Sequence, residues 1–139
     1  MTEQLRTLLQ SCELLKPMRV QTDLSGARVP TCAVTRKSKE LLGEDVLGQR
    51  RWAEHFVFQT RQLGGGETDR QRAYTLLQQL SDWLQQPQRL DWSFGATVTA
   101  LVPGMPSLQE AYDDGTAVWS MSIRLDRNEE TKGSASYGN

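Results

Sequence analysis

Asp113-Asp114-Gly115-Thr116-Ala117-Val118-Trp119-Ser120-Met121-Ser122-Ile123-Arg124-Leu125-Asp126 is the stretch that decides the fold. After the Asp-Asp-Gly turn, Ala117, Trp119, Met121, Ile123 and Leu125 alternate with Val118, Ser120, Ser122, Arg124 and Asp126. Successive side chains of a strand point to opposite faces, so the alternation predicts a strand with one buried and one wet face. The wet face carries hydroxyls and one arginine, with no histidine, thiol or paired carboxylates.

A second strand signal begins at Arg50. Trp52, Phe56 and Phe58 share one side, with Glu54 the exception among them; Arg51, Ala53, His55, Val57, Gln59 and Arg61 share the other. The result is an aromatic core face backed by a mixed basic face. About twelve extended residues at ~3.3 Å each span roughly 40 Å, longer than most strands, so part of this one is expected to project beyond the sheet.

Two helices are expected. Leu5, Leu8, Leu9, Cys12 and Leu15 form an apolar stripe on a helix beginning near Thr2 and ended by Pro17, which pushes the preceding residue out of helical geometry. Thr68 is a fair N-cap, with Gln71 three residues on and Asp69 in the first turn. Ala73, Tyr74, Leu76, Leu77, Leu80, Trp83 and Leu84 then make a face broad enough to lie on a sheet, and Pro87 closes the helix.

The remaining segments read less sharply. Met18–Leu24 and Pro30–Thr35 are short strand candidates separated by a Ser25-Gly26 turn, and Ala96–Val102 is rich in β-branched residues. Arg36–Gln49, polar and charged with Gly43 and Gly48, reads as a long surface excursion. Leu90–Gly95 is a connection with aromatic anchors. This order predicts one α+β domain over residues 1–126, a mainly antiparallel sheet of four to five strands with two helices on one face, followed by a disordered tail over 127–139. No internal repeat and no second domain is visible.

Bulk composition excludes several function classes. The 139 residues hold 16 basic and 17 acidic side chains, a formal net charge of -1, whereas nucleic-acid binding asks for a basic footprint. The first six residues lack the basic start and apolar core of a signal peptide, and no run approaches the roughly 18–20 apolar residues of a membrane helix. A soluble chain made in the cytoplasm is the expectation. Cys12 and Cys32 are far apart and form no CxxC, reading as apolar fillers in a reducing compartment.

Chemistry is sparse. His55, the only histidine, adjoins Glu54, but neighbours on a strand point apart, so the two are not preassembled as a base pair. One histidine and two scattered cysteines fall short of a zinc set. Gly64-Gly65-Gly66 before a helix resembles a phosphate cradle, yet it has no GxGxxG or Gly-Lys-Ser/Thr spacing, and Glu67 and Asp69 add negative charge where phosphate would sit. Asp113, Asp114, Glu44 and Asp45 read as turn formers rather than calcium ligands. The reading is therefore a non-enzyme with no cofactor and no metal. Arg50, Arg51, His55, Arg61 and Arg124 are the candidate partner surface, with a solvated strand face as the plain alternative.

With these elements in place, the chain resembles the small tail-completion, or tail-terminator, proteins of long-tailed phages of Gram-positive hosts, often labelled minor capsid proteins. Leu5–Leu9 through Leu14-Leu15-Lys16, Trp52–Arg61, Leu80–Leu84, Pro106-Ser107-Leu108 and Ala117–Leu125 carry the resemblance, which covers residues 1–126. It implies a virion-tail protein, assembled in the bacterial cytoplasm, that forms a ring, generally hexameric, on the last ring of the tail tube. Such a ring ends tube polymerisation and offers a head-tail joining surface. Its implied partners are copies of itself, the tail tube protein, sheath and head-connector proteins, with no membrane and no specific nucleic acid. A contractile bacteriocin or injection particle uses such a module equally well. The competing class is a small nucleotide- or nucleic-acid-binding α+β protein built around Gly64–Gly66 and His55.

Overall fold

The computed structural model describes residues 2–24, 29–87 and 98–129. The described chain is α+β: helix α1 (Thr2–Gln10), strands β1 (Val20–Gln21), β2 (Thr31–Glu44) and β3 (Arg50–Leu63), helix α2 (Glu67–Leu84), then β4 (Val98–Pro103), β5 (Ser107–Ala111) and β6 (Thr116–Asn128). The six strands form one sheet in the order β1-β2-β3-β6-β4, with β5 also paired to β6. Every pairing is antiparallel except β1 with β2.

The opening stretch lies in the middle of this sheet. β6 pairs with β3 from Thr116↔Leu63 to Asn128↔Arg51, while its other edge takes β5 and then β4. Trp119, Met121, Ile123 and Leu125 face the core, opposite Thr60, Phe58, Phe56 and Glu54. Ser122 and Arg124 are exposed, as the alternation predicts. Val118 is buried although it belongs to the expected wet face.

α1 and α2 cover one face of the sheet. Leu5, Leu8 and Leu9 of α1 and Ala73, Leu77, Leu80 and Leu84 of α2 join Phe56, Phe58, Met121 and Ile123 in a single core cluster. The Tyr74 ring meets Trp119 edge-on, centroids 6.3 Å apart, tying α2 to β6. Fully burying a side chain such as Phe58 contributes roughly 1.5–3 kcal/mol.

Several expectations are corrected. The Leu5–Leu15 stripe is not one helix: α1 ends at Gln10, the Ser11 hydroxyl donates to the Leu8 carbonyl at 2.6 Å, and a single 3₁₀ turn over Glu13–Leu15 returns Leu15 to the core. A side-chain hydroxyl that bonds the backbone in this way competes with helical pairing. Thr68 is not the N-cap of α2. Gly66 takes that place with extended geometry, so Glu67 and Asp69 occupy the first turn, where acidic charge suits the helix dipole.

The Arg36–Gln49 excursion is strand up to Glu44, where it reaches a tight turn over Asp45–Gln49. Its residues are charged on both faces, so no apolar period marks it; the ladder to β3 makes it a strand. A register shift at Arg36/Ser38 swaps its faces partway along. β3 does not project from the sheet, because β6 accompanies it down to Arg51. Six strands replace the expected four to five, since the fully exposed β5 shows no burial pattern to read.

At the C-terminal end, Arg127 and Asn128 belong to β6 rather than to a tail; residues 130–139 lie outside the described residues. So do the expected Ser25-Gly26 turn, the Leu90–Gly95 connection and the start of the Ala96–Val102 strand. Among the described residues, no helix is long and apolar enough to cross a membrane.

Candidate functional site

The five candidate residues lie on β3 and β6, but they do not converge. His55 and Arg124 are cross-strand partners on the face of the sheet opposite the helices. Arg50 and Arg51 sit at the hairpin end of β3 and Arg61 near its other end; the ten residues from Arg51 to Arg61 span roughly 33 Å of strand.

Each of these side chains except Arg51 lies beside a neighbouring carboxylate. Arg50 Nε lies 3.4 Å from Glu44 Oε1, and His55 Nε2 lies 3.2 Å from Glu40 Oε1. Arg124 pairs with Asp126 through two contacts, 2.7 and 3.1 Å, which raise the guanidinium pKa. Arg61 reaches Asp114 at 3.3 Å and Thr116 Oγ1 at 3.1 Å, and its guanidinium stacks 4.6 Å above the Tyr112 ring. The Thr116 hydroxyl and N–H, with Arg61 behind them, hold the Asp114 carboxyl below its ordinary value. Arg51 forms no ion pair among the described residues. The expected basic face is therefore a mosaic of basic side chains set against neighbouring carboxylates, and solvent screening leaves such surface pairs little energetic weight.

Glu54, in sequence an exception on the aromatic face and the neighbour of His55, has a different setting in the fold. It is 1 % exposed, with Arg127 Nε 2.6 Å from Oε2 and Arg36 Nη1 3.3 Å from Oε1. Burial pushes the carboxyl pKa up, but the Arg127 hydrogen bond and charge, helped by Arg36, hold it below the usual range. Beside it, Lys39 Nζ lies 4.3 Å above the Trp52 ring, whose Nε1 donates to Glu129 at 3.3 Å. The signal available in the sequence was a carboxylate at a core position, which demands a buried partner.

Other candidate chemistry dissolves into structure. Cys32 and His55 sit on opposite faces of the sheet, and burial pushes the Cys32 thiol up to about 12. Gly64 is a packing residue, since a Cβ placed there would lie 2.5 Å from the Ala117 Cβ. Its N–H donates to the Gly115 carbonyl at 2.9 Å rather than facing an open anion site. Among the described residues, no group of three or more His, Cys, Asp or Glu is placed to hold a metal ion.

No protein-family profile and no curated protein sequence matches the chain. A solved structure does: a chain from the virion of a native gene transfer agent (GTA) particle superposes with a TM-score of 0.60. The two chains share a fold. The match covers 88% of this chain and 90% of that one at 12% sequence identity, so it reports architecture, not residue roles.

Proposed function

We propose that the protein is a structural component of a phage tail or phage-tail-like particle, capping the end of the tail tube as a ring, generally hexameric. The ring ends tube polymerisation and provides the head-tail joining surface. The observation that carries this reading is the near end-to-end correspondence of the fold with a virion chain, with little left over on either side. A ring subunit needs a rigid core and exposed edges that reach neighbours. The continuous core and the long β2 edge, which β1 covers only at Cys32 and Ala33, suit that role. Arg50, Arg51, His55, Arg61 and Arg124 are proposed as contact residues toward a neighbouring subunit or the tube, with the carboxylate pairs of Arg50, Arg61 and Arg124 exchanging partners on assembly.

The test is assembly of the cognate tube protein with and without this protein, followed by electron microscopy. Shorter tubes with an added terminal ring are expected. A species that stays monomeric at high concentration and also leaves tube length and ends unchanged would overturn the proposal.

A further inference from the structure

We propose that copies of this chain join head to tail through an apolar knob at one end of the sheet and an apolar cleft at the other. The knob is the β2–β3 turn. Val46 is 101% and Leu47 89% exposed, the largest values among the described large hydrophobic residues.

The turn is held firmly. The Asp45 N–H donates to the Gln49 carbonyl at 2.9 Å, and Asp45 Oδ1 accepts the N–H groups of Leu47 and Gln49, each at 2.9 Å. Gly48, at φ 85°, supplies the left-handed residue that closes such a loop. Two aliphatic side chains presented to water on so ordered a turn have little to contribute to this chain's own stability. They are a ready-made anchor for burial elsewhere.

The cleft lies at the opposite end of β3, with a volume of about 340 Å³. Leu14, Met18, Pro30, Leu63 and Leu76 supply its apolar walls, and Asp69 and Arg72 its polar rim. Leu63 is 56% exposed there, so the apolar lining is open to a visitor. The fourteen residues of β3 separate knob and cleft by roughly 45 Å of strand, so the knob cannot fill the cleft of its own chain.

Charge favours the same pairing. Asp45 has no ion pair among the described residues, while Arg72 on the rim is 76% exposed and only loosely paired with Asp69, at 3.8 Å. A second copy therefore brings an aliphatic pair and a carboxylate to an apolar cleft with an arginine at its edge. Two different patches in contact make a heterologous interface, which closes into a ring when the rotation between copies allows. The contact is a candidate for the ring-forming one of the proposed tail cap and rests on that reading, but it can be measured without the tube.

The experiment is pairwise cross-linking. Both native cysteines are buried, so introduced thiols report alone. Leu47→Cys protein is mixed with Leu63→Cys protein and oxidised, with and without tube protein. Leu47→Cys mixed with Leu108→Cys, an exposed site on β5, is the control. Covalent dimers several-fold above the control are expected, as are higher ladders from the Leu47→Cys/Leu63→Cys double variant. Val46→Asp/Leu47→Asp should abolish self-association with no loss of thermal stability.

Cross-linking no better than the control, in both the presence and absence of tube protein, overturns the proposal. So does cross-linking of the knob to tube protein alone, which makes the tube its occupant. Dimers formed by a protein that never caps tubes would sink the tail-cap reading and leave the head-to-tail contact standing.

Discussion

Replacing Glu54 with glutamine should destabilise the protein by about 2–3 kcal/mol. The carboxylate is 1 % exposed, and Arg127, 17% exposed, donates to it at 2.6 Å. Hydrogen bonds to charged groups contribute about 1.5–3 kcal/mol, and removing one partner of a buried pair costs about 3–5 kcal/mol. Arg36 adds little, because it is 50% exposed and 3.3 Å away, within the surface range of about 0–1 kcal/mol. Glutamine keeps the shape and one acceptor, so the cost falls below that of full removal, but its amide N–H₂ must face a guanidinium.

Urea denaturation at neutral pH measures the loss, which at roughly 4 °C per kcal/mol also lowers Tm by about 8–12 °C. Arg36→Ala should cost under about 1 kcal/mol. The Glu54→Leu/Arg127→Leu pair should recover most of what Glu54→Gln loses, since an apolar pair replaces a buried ion pair at little cost. The pH dependence has a definite sign. Because Arg127 and Arg36 hold the folded-state pKa of Glu54 below its unfolded value, its contribution is fully present above the unfolded pKa of about 4.3. It is lost as pH falls through the lower folded value, so the gap between wild type and Glu54→Gln should close in acid. A Glu54→Gln variant as stable as wild type at pH 7, or a gap that widens in acid, would refute the reasoning.

Phe58→Ala removes a side chain that is 0% exposed at the centre of the sheet and should cost about 3–5 kcal/mol in urea; a loss under about 1 kcal/mol would mean that the core is not where it is placed. Gly64→Ala drives a Cβ into Ala117 and should cost about 1–3 kcal/mol, with partial rescue by Ala117→Gly; no rescue would show that the glycine serves something other than packing. Neither Cys12 nor Cys32 should react with a thiol reagent in the folded protein, and both should react in denaturant, because both are buried and the Cys32 pKa stands at about 12.

Much of the fold was legible because burial writes a period into the residues. Ala117, Trp119, Met121, Ile123 and Leu125 of one alternation, Phe56 and Phe58 of the other, and Ala73, Leu77, Leu80 and Leu84 of the helical stripe all join the core. Legibility ended where an element packs on neither face. The distal half of β2 and all of β5 are exposed, so their strand character comes from backbone hydrogen bonds to β3 and β6, which any side chain permits. The candidate site was half legible for a related reason. Alternation put Arg51, His55 and Arg61 on one face, but it could not show that Glu40 on β2 lies beside His55 or that Asp114 in the β5–β6 turn pairs with Arg61.

By itself, then, the sequence determined most of the core-facing residues, the α+β class and the opposite facing of Glu54 and His55 on β3, because these follow from local periodicity and from the kinds of residue present. Tertiary structure alone decided who meets whom. Glu54 finds Arg127 73 residues away, and a register shift near Arg36 decides which face of β2 each charge takes. The turn bearing Val46 and Leu47 is likewise set roughly 45 Å from the cleft by the full length of β3. Strand register is a property of pairs of segments, so no single segment carries it.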